Sequence, residues 1–418
     1  MNPTTNTVAE TKTELAPIHD FSRKLRQSGL VGRVKDYVNW QAARRGIVDS
    51  SPRPSAAPVS VNLDLTTACN YACDHCVDMS ILNTGIKFEH ERLMNQLQLM
   101  IDNGLKSVII IGGGEPTTYP KFEEVIYFLK ERGMKVAVVS NGSGNHRILK
   151  CADAFTKGDW VRLSLDSGSE EVFQAMHKPK KAITLDSICE FVPQIKAKNP
   201  DLSMGFSYII VWKGATINDS DIIENIHEIE EATERSQKYQ FDYISLKPFL
   251  TRSPINNAEI VGVSKEEGGM TFEEALSTIR TSIEASKKYE TGTFKIWEST
   301  NLRVLENGTA ENYTKQPNTC HMQFFRQVLS PLGIFNCPVY RHQEHARLGE
   351  KHDYENNLAF QSTLNSTEHL LDTFDASREC KEVTCLYNDV NWWLEDLVNN
   401  PQKLDELEEV EDTGDYYL

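Results

Sequence analysis

No apolar run in the 418-residue chain approaches the roughly 20 residues a helix needs to cross a bilayer. Its first fifteen residues, MNPTTNTVAETKTEL, also lack the apolar core of a secretory signal. Together these absences set the expectation of a cytoplasmic protein. Positive charge is scarce: 44 Lys and Arg stand against 60 Asp and Glu, a net charge of −16. That balance excludes a protein that grips nucleic acid by general electrostatics. An even set of cysteines is missing too, and nine thiols in a reducing compartment do not make a disulfide framework. What the chain does have is 39% apolar residues and 9% aromatics, enough for a real core and incompatible with disorder or a collagen-like fibre over its bulk. The length suits two or three ordinary domains, or one large barrel with an appendage.

Residues 1–58 read as an N-terminal extension whose first twenty residues are polar. Residues 21–46 predict one or two short amphipathic helices, with Leu25, Leu30, Val34, Val38 and Trp40 on the apolar side. This stretch holds seven Lys/Arg and one Asp. The expected role is a helix face whose alkyl stems lie on the neighbouring domain; the alternative is a docking surface for an acidic partner or leader peptide. SSPRPSAAP (50–58) reads as a linker, since its three prolines exclude helix and sheet.

From residue 59 strands and helices alternate. Apolar, β-branched runs at 59–66, 107–112, 134–140, 160–166, 203–212 and 241–248 predict strands. Helical periodicity follows near 88–103, 120–132, 144–156, 184–198, 219–236 and 271–288. Such repetition implies parallel strands joined by right-handed crossovers. The predicted fold class is therefore α/β, a partial (β/α)6 barrel of the TIM type over 59–300, with its chemistry at the C-terminal strand ends. A smaller C-terminal domain is expected over 301–395 and an acidic tail over 396–418. The stretch from Glu395 to Leu418 carries nine acids and one Lys, which predicts a short helix running into a solvated tail.

Strand one runs into Ala68-Cys69-Asn70-Tyr71-Ala72-Cys73-Asp74-His75-Cys76. Three thiols so close can wrap one face of a small metal centre, and both zinc and iron–sulfur clusters normally take four protein ligands. With no evident fourth, one iron stays open; the alternative is a zinc knob completed by His75 or a distant Cys. Gly112-Gly113-Gly114-Glu115-Pro116 closes strand two, Ser140-Asn141-Gly142 ends strand three and Ser164-Leu165-Asp166 ends strand four. Glycines allow close backbone approach, and a carboxylate complements an ammonium.

C-x3-C-x2-C after the first strand, with His75 just before the third Cys and these motifs following in order, resembles the radical SAM superfamily across 59 to about 250. The resemblance implies that Cys69, Cys73 and Cys76 hold a [4Fe–4S] cluster whose fourth iron chelates S-adenosylmethionine. It places the methionine amino group at Gly113, Gly114 and Glu115, the methionine carboxylate or ribose at Ser140 and Asn141, and the ribose at Ser164 and Asp166. It further implies reductive cleavage of S-adenosylmethionine to a 5′-deoxyadenosyl radical that takes a hydrogen atom from the substrate. A flavodoxin- or ferredoxin-type electron donor is expected as partner, and the protein contributes orientation and exclusion of water.

Cys320 precedes a Gly-centred hairpin (SPLGIF) that leads to Cys337-Pro338, and Cys380 and Cys385 follow in ECKEVTCLYN. This set resembles a SPASM or twitch domain and implies a second, auxiliary [4Fe–4S] cluster. Four thiols in place of the seven of a full SPASM domain imply one such cluster, of the twitch type. The alternative is structural zinc on the same four ligands, or thiols that are merely buried. Cys151 and Cys189 are expected as core residues, with hydrogen-atom return to a substrate radical as the alternative. Trp212, Lys213, Lys247 and Arg252, near the ends of strands five and six, are either substrate or S-adenosylmethionine contacts or ordinary loop residues. Asn388, Asn391, Trp392 and Trp393 are expected to pack the C-terminal domain against the barrel.

The basic extension, the acidic tail and the length point to a peptide substrate modified in natural-product (RiPP-type) biosynthesis. The alternatives are a dehydrogenase or related enzyme acting on a small molecule, such as a sugar or aminoglycoside precursor, and a zinc-binding structural module.

Overall fold

The computed structural model describes residues 20–217, 220–262 and 269–418. The polar first stretch (1–19) and the first position of the helix expected over 219–236 lie outside the described residues. Ten strands form one sheet: β1 (Ser60–Leu63), β2 (Ser107–Ile110), β3 (Lys135–Ser140), β4 (Trp160–Ser164), β5 (Ser203–Ile210), β6 (Tyr243–Pro248), β7 (Lys295–Glu298), β8 (Arg326–Ser330), β9 (Gly333–Phe335) and β10 (Arg347–Gly349). Their spatial order is β7-β6-β5-β4-β3-β2-β1-β8-β9-β10. The first eight pair in parallel, and β8, β9 and β10 continue as antiparallel neighbours.

The six expected strands thus form an open, partial barrel, and two further parallel strands extend it. β7 adds to β6, while β8 flanks β1 on its other side. Neither stood out in the sequence because each is short and lacks a repeated helix after it. β8 and its hairpin lie within residues 301–395, so one continuous sheet runs from the first cysteine loop to Cys337. A helix at Glu170–His177, not expected from periodicity, follows β4, and Ser169 caps it by accepting from the Val172 amide.

Alternation along the strands sorts the two faces. Val61, Leu63, Val108, Ile110, Val136, Val138, Val161, Leu163, Phe206, Ile244 and Leu246 are fully buried against the helices. The other face is mixed, with Ile109, Ala137, Val139 and Ile209 beside polar side chains: Asn62 on β1, Arg162 and Ser164 on β4, Ser207 on β5, and Ser245 and Lys247 on β6. Tyr243 on β6 and Trp297 on β7 stack at 3.9 Å on this inner side.

Along the expected acidic tail Asp405, Glu406, Glu408, Glu409, Glu411 and Asp412 are exposed, but the aromatic segment after them is not solvated. Tyr417 and Leu418 are buried. Tyr417 packs edge-on against Trp160, the first residue of β4, at 5.6 Å, and the Tyr416 carbonyl accepts from the hydroxyl of Ser107, the first residue of β2, at 2.8 Å. This segment closes the N-terminal end of the strands. The basic extension meets it there: Lys24 donates to the Tyr417 carbonyl and pairs with Asp415 at 3.1 Å. Arg45 pairs with Glu395, Arg44 with Glu368 and Asp372, and Arg33 donates to the carbonyls of Gly104 and Ala57. Four of the seven cations that suggested a docking surface, Lys24, Arg33, Arg44 and Arg45, are therefore engaged within the chain, with the apolar side of Val31–Arg44 buried against Asn388–Asn399.

Candidate functional site

The C-terminal rim of the sheet gathers four loops. The loop after β1 carries Cys69, Cys73 and Cys76, all partly buried and free. It is stitched to the loop after β3: Asn70 Nδ2 donates to Ser143 Oγ (2.8 Å), and Asn141 Nδ2 donates to Asn70 Oδ1 (2.9 Å). Asn83 Oδ1 accepts the Cys69 amide at 3.0 Å, and Lys180 Nζ reaches the Cys69 carbonyl at 3.1 Å. Burial raises all three thiols, Cys76 to about 12 and Cys73 well above its ordinary value, with neighbouring thiols adding to the shift at Cys73. A cation at this loop would reverse that effect, since metal binding displaces thiol protons.

The glycine-rich loop after β2 is pressed against the cysteine loop. A Cβ on Gly114 would lie 2.2 Å from the Ala68 carbonyl oxygen, and one on Gly112, where φ is +85°, would meet the Arg341 guanidinium. These positions require glycine on steric grounds alone. The Glu115 side chain does not face the rim. Its Oε1 accepts from the Thr117 amide (3.0 Å), Thr117 Oγ1 (2.6 Å) and Ser140 Oγ (2.8 Å), and its Oε2 accepts from the Asn141 amide at 2.7 Å. The buried carboxylate thus clamps the β2 and β3 loops together.

Asp166 is also committed inward. It sits at φ +49° and is fully buried. Oδ1 accepts the Ile209 amide at 2.7 Å, and Oδ2 lies 3.3 Å from His75 Nε2 and 3.5 Å from His177 Nε2. His177 in turn places Nδ1 3.2 Å from Cys73 Sγ. Burial, with the nearby His75, lowers His177 to about 4, so it is neutral at physiological pH. The ligand atoms of Cys73, His75 and His177 all lie within 4.8 Å of one another. His177 arrived through the unexpected helix. Ser164 alone among the proposed ribose contacts opens toward the inner face.

A buried charge cluster joins this rim to the late cysteines. Arg341, four residues after Cys337, bonds Asp78 Oδ2 at 3.0 Å and lies 3.2 Å from Asp64 Oδ2. Arg252 donates to the Val77 and Val339 carbonyls and pairs with Glu259 at 3.3 Å. Asp78 also accepts the Gly113 amide at 3.3 Å. Arg252 was a candidate from sequence; Asp64, Asp78 and Arg341 were not, because their partners are hundreds of residues distant.

Cys320, Cys337, Cys380 and Cys385 converge in one pocket with Tyr340, Phe374 and Val383. Burial raises each thiol, and others of the set add to the shift at Cys320, Cys380 and Cys385. Asn391 Nδ2 approaches Cys320 Sγ at 3.8 Å. Beside them His321 bridges Tyr37 (2.7 Å) and Glu395 (2.8 Å), so the N-terminal helix buttresses this pocket. Asn388 and Trp392 bond the Lys315 carbonyl, Trp393 packs against the apolar cluster that includes Tyr37, Phe324 and Leu394, and Trp392 stays 47% exposed. Cys151 and Cys189 lie fully buried in the main core, each pushed up to about 12 by burial. Trp212 is buried against Phe249, and Lys213 is exposed.

An open α/β barrel with a three-thiol loop after its first strand, pressed against a glycine-rich loop after its second, defines a class of cofactor-dependent barrel. More specifically, residues 63–229 match the model of the Radical SAM superfamily. Over 113 residues the chain is 34% identical to an S-adenosylmethionine-dependent nucleotide dehydratase of Thermoplasmatales archaeon (strain ISO4-H5), covering 27% of this chain and 39% of that protein. Over 123 residues it is 32% identical to the mycofactocin maturase MftC of Mycobacterium ulcerans, covering 29% and 32%. The chain thus spans about two fifths or less of the length of these relatives. Among solved structures, Streptococcus suis SuiB bound to S-adenosylmethionine has a similar fold, with a TM-score of 0.51 at 14% identity over 73% of this chain and 65% of that one. The family implies a [4Fe–4S] cluster and S-adenosylmethionine, and its members are enzymes.

Proposed function

We propose that the protein is a radical SAM enzyme whose substrate enters the chamber on the inner face of the sheet. The observation that carries this reading is the packing of three free thiols against a glycine loop that no larger residue could form. Cys69, Cys73 and Cys76 would hold the cluster, and the fit is supported by donor type and by partial burial. When bound, the cluster and S-adenosylmethionine supply one-electron cleavage of the sulfonium and abstraction of a substrate hydrogen atom. The chain's own residues do the positioning. Glu115 fixes the β2 loop to the β3 loop, Asp166 orients His75, and Asn70 and Asn141 hold the cysteine loop against Ser143. Gly113, Gly114, Ser140, Asn141 and Ser164 remain the proposed S-adenosylmethionine contacts, Glu115 and Asp166 serving behind them.

Cys320, Cys337, Cys380 and Cys385 would hold a second iron–sulfur cluster, and their convergence in one buried pocket supports this. Full ligation by protein suits a relay or a structural element better than direct substrate binding. For the substrate, relatives named as a maturase (MftC) and as a bacteriocin biosynthesis protein (AlbA of Bacillus subtilis) support a peptide. A small polar molecule is the second reading, favoured by the polar side chains of the inner face and by the internal pairing of the basic extension.

Iron and sulfide analysis of anaerobically purified protein tests the cofactor reading: about eight of each per chain is expected from two four-iron clusters, whereas zinc without sulfide overturns it. Cys73→Ala should abolish 5′-deoxyadenosine formation. Cys337→Ala should keep uncoupled cleavage yet lose product, and full turnover in that variant would remove the relay role.

A further inference from the structure

We propose that the inner face of β4, β5 and β6 is an oxyanion cradle for the substrate, in which Arg162 and Lys247, with the hydroxyls of Ser207 and Ser245, receive a carboxylate or phosphoryl group beside Ser164. This names the substrate class of the reading above, and rests on it only for making the chamber the place of reaction.

The register sets the cradle. Ser164 pairs with Ser207, Ser207 with Ser245, and Ile209 with Lys247, while Arg162 lies opposite Gly205. Alternation puts all five polar side chains on one face. Glycine at 205 leaves the room that Tyr243 occupies, since a Cβ there would lie 2.2 Å from the tyrosine ring. Lys247 Nζ has one hydrogen bond, to Ser207 Oγ at 3.2 Å. Arg162 lies over the Trp160 ring at 5.1 Å, and its Nε is buried without a hydrogen-bond partner.

Several buried cations sit with acids, Arg341 with Asp64 and Asp78, Arg252 with Glu259 and Lys130 with Asp159, whereas Arg33 and Arg326 bond neutral oxygens. Arg162 and Lys247 have no such partner among the described residues. Burial, together with the Arg162 charge, holds Lys247 well below the ordinary amine range, and the nearby acid, Asp166, is already engaged with His75, His177 and the Ile209 amide. Two partly buried basic groups side by side without a counter-charge are costly to keep charged, and an anion arriving between them relieves that cost. Arginine and serine hydroxyls suit an oxyanion, the guanidinium through paired N–H groups.

The test titrates full-length, cluster-loaded protein with inorganic phosphate and, separately, with acetate, by calorimetry, with and without saturating S-adenosylmethionine. Expected is saturable one-to-one binding of one probe, which identifies the oxyanion, persisting when S-adenosylmethionine is present. Arg162→Gln and Lys247→Gln should each weaken it about tenfold, the loss of one charge-assisted hydrogen bond, with S-adenosylmethionine affinity changed less than about twofold. Ser207→Ala, a milder change, should weaken it severalfold in a protein of unaltered melting temperature. No saturable binding, equal binding in all three variants, or competition with S-adenosylmethionine overturns the proposal; the last assigns the cradle to the cofactor's own carboxylate. The same titration of iron-free protein separates the two claims. Probe binding without any 5′-deoxyadenosine from the loaded enzyme leaves the cradle and removes the radical SAM reading; 5′-deoxyadenosine formation without probe binding does the reverse.

Discussion

Glu115 illustrates how far single residues could be read. Its place in a Gly-Gly-Gly-Glu-Pro loop was legible, but its partners were not, because Ser140 and Asn141 reach it only through the pairing of β2 with β3. Glu115→Gln replaces one acceptor oxygen by an amide that faces existing donors. A loss of about 2–3 kcal/mol in urea unfolding is expected, the range for hydrogen bonds to a charged group. Gly114→Ala should cost about 1–3 kcal/mol as overpacking and, by displacing Ala68, lower iron content under identical loading. Asp64 titrates at about 7, because burial outweighs the Arg341 charge. In the unfolded chain such a carboxyl ionises near pH 4, so the unfolded state releases its proton first. Stability should then fall as pH rises from about 4 to about 7 and level off above. Melting temperatures of iron-free protein across that range should show the decline, and Asp64→Asn should flatten part of it.

At the level of elements, the six parallel units and the strand-end position of each motif were legible, since apolar strands buried on one face and periodic helices leave strong local signals. β7 and β8 were not. Each is set by long-range pairing, β8 with β1 through Ser60–Leu63 and Arg326–Leu329. The polar parity of β4 to β6 was in the sequence all along: Arg162, Ser164, Ser207, Ser245 and Lys247 alternate with buried apolar residues. Local signals also predict stability away from the site. Thr271 and Glu274 form a reciprocal capping box at the start of Phe272–Ser286, so Thr271→Ala should cost about 1 kcal/mol in thermal unfolding while leaving turnover untouched.

On the scale of the whole molecule, the charge imbalance of the two ends is resolved by their meeting. Exposed pairs there contribute little each, roughly 0–1 kcal/mol, so salt should lower stability only slightly. The apolar contact matters more. Tyr417→Ala removes a buried ring from Trp160 and should cost about 3–5 kcal/mol, read by calorimetry and by a red shift in tryptophan emission. That ring has a kinetic meaning as well. With Tyr416, Tyr417 and Leu418 packed at the far end of the sheet, the C-terminal rim is the doorway the described residues leave to ligands. Whatever is made inside must leave by the route along which the next reactant arrives, so accumulating end product should inhibit by competing for entry.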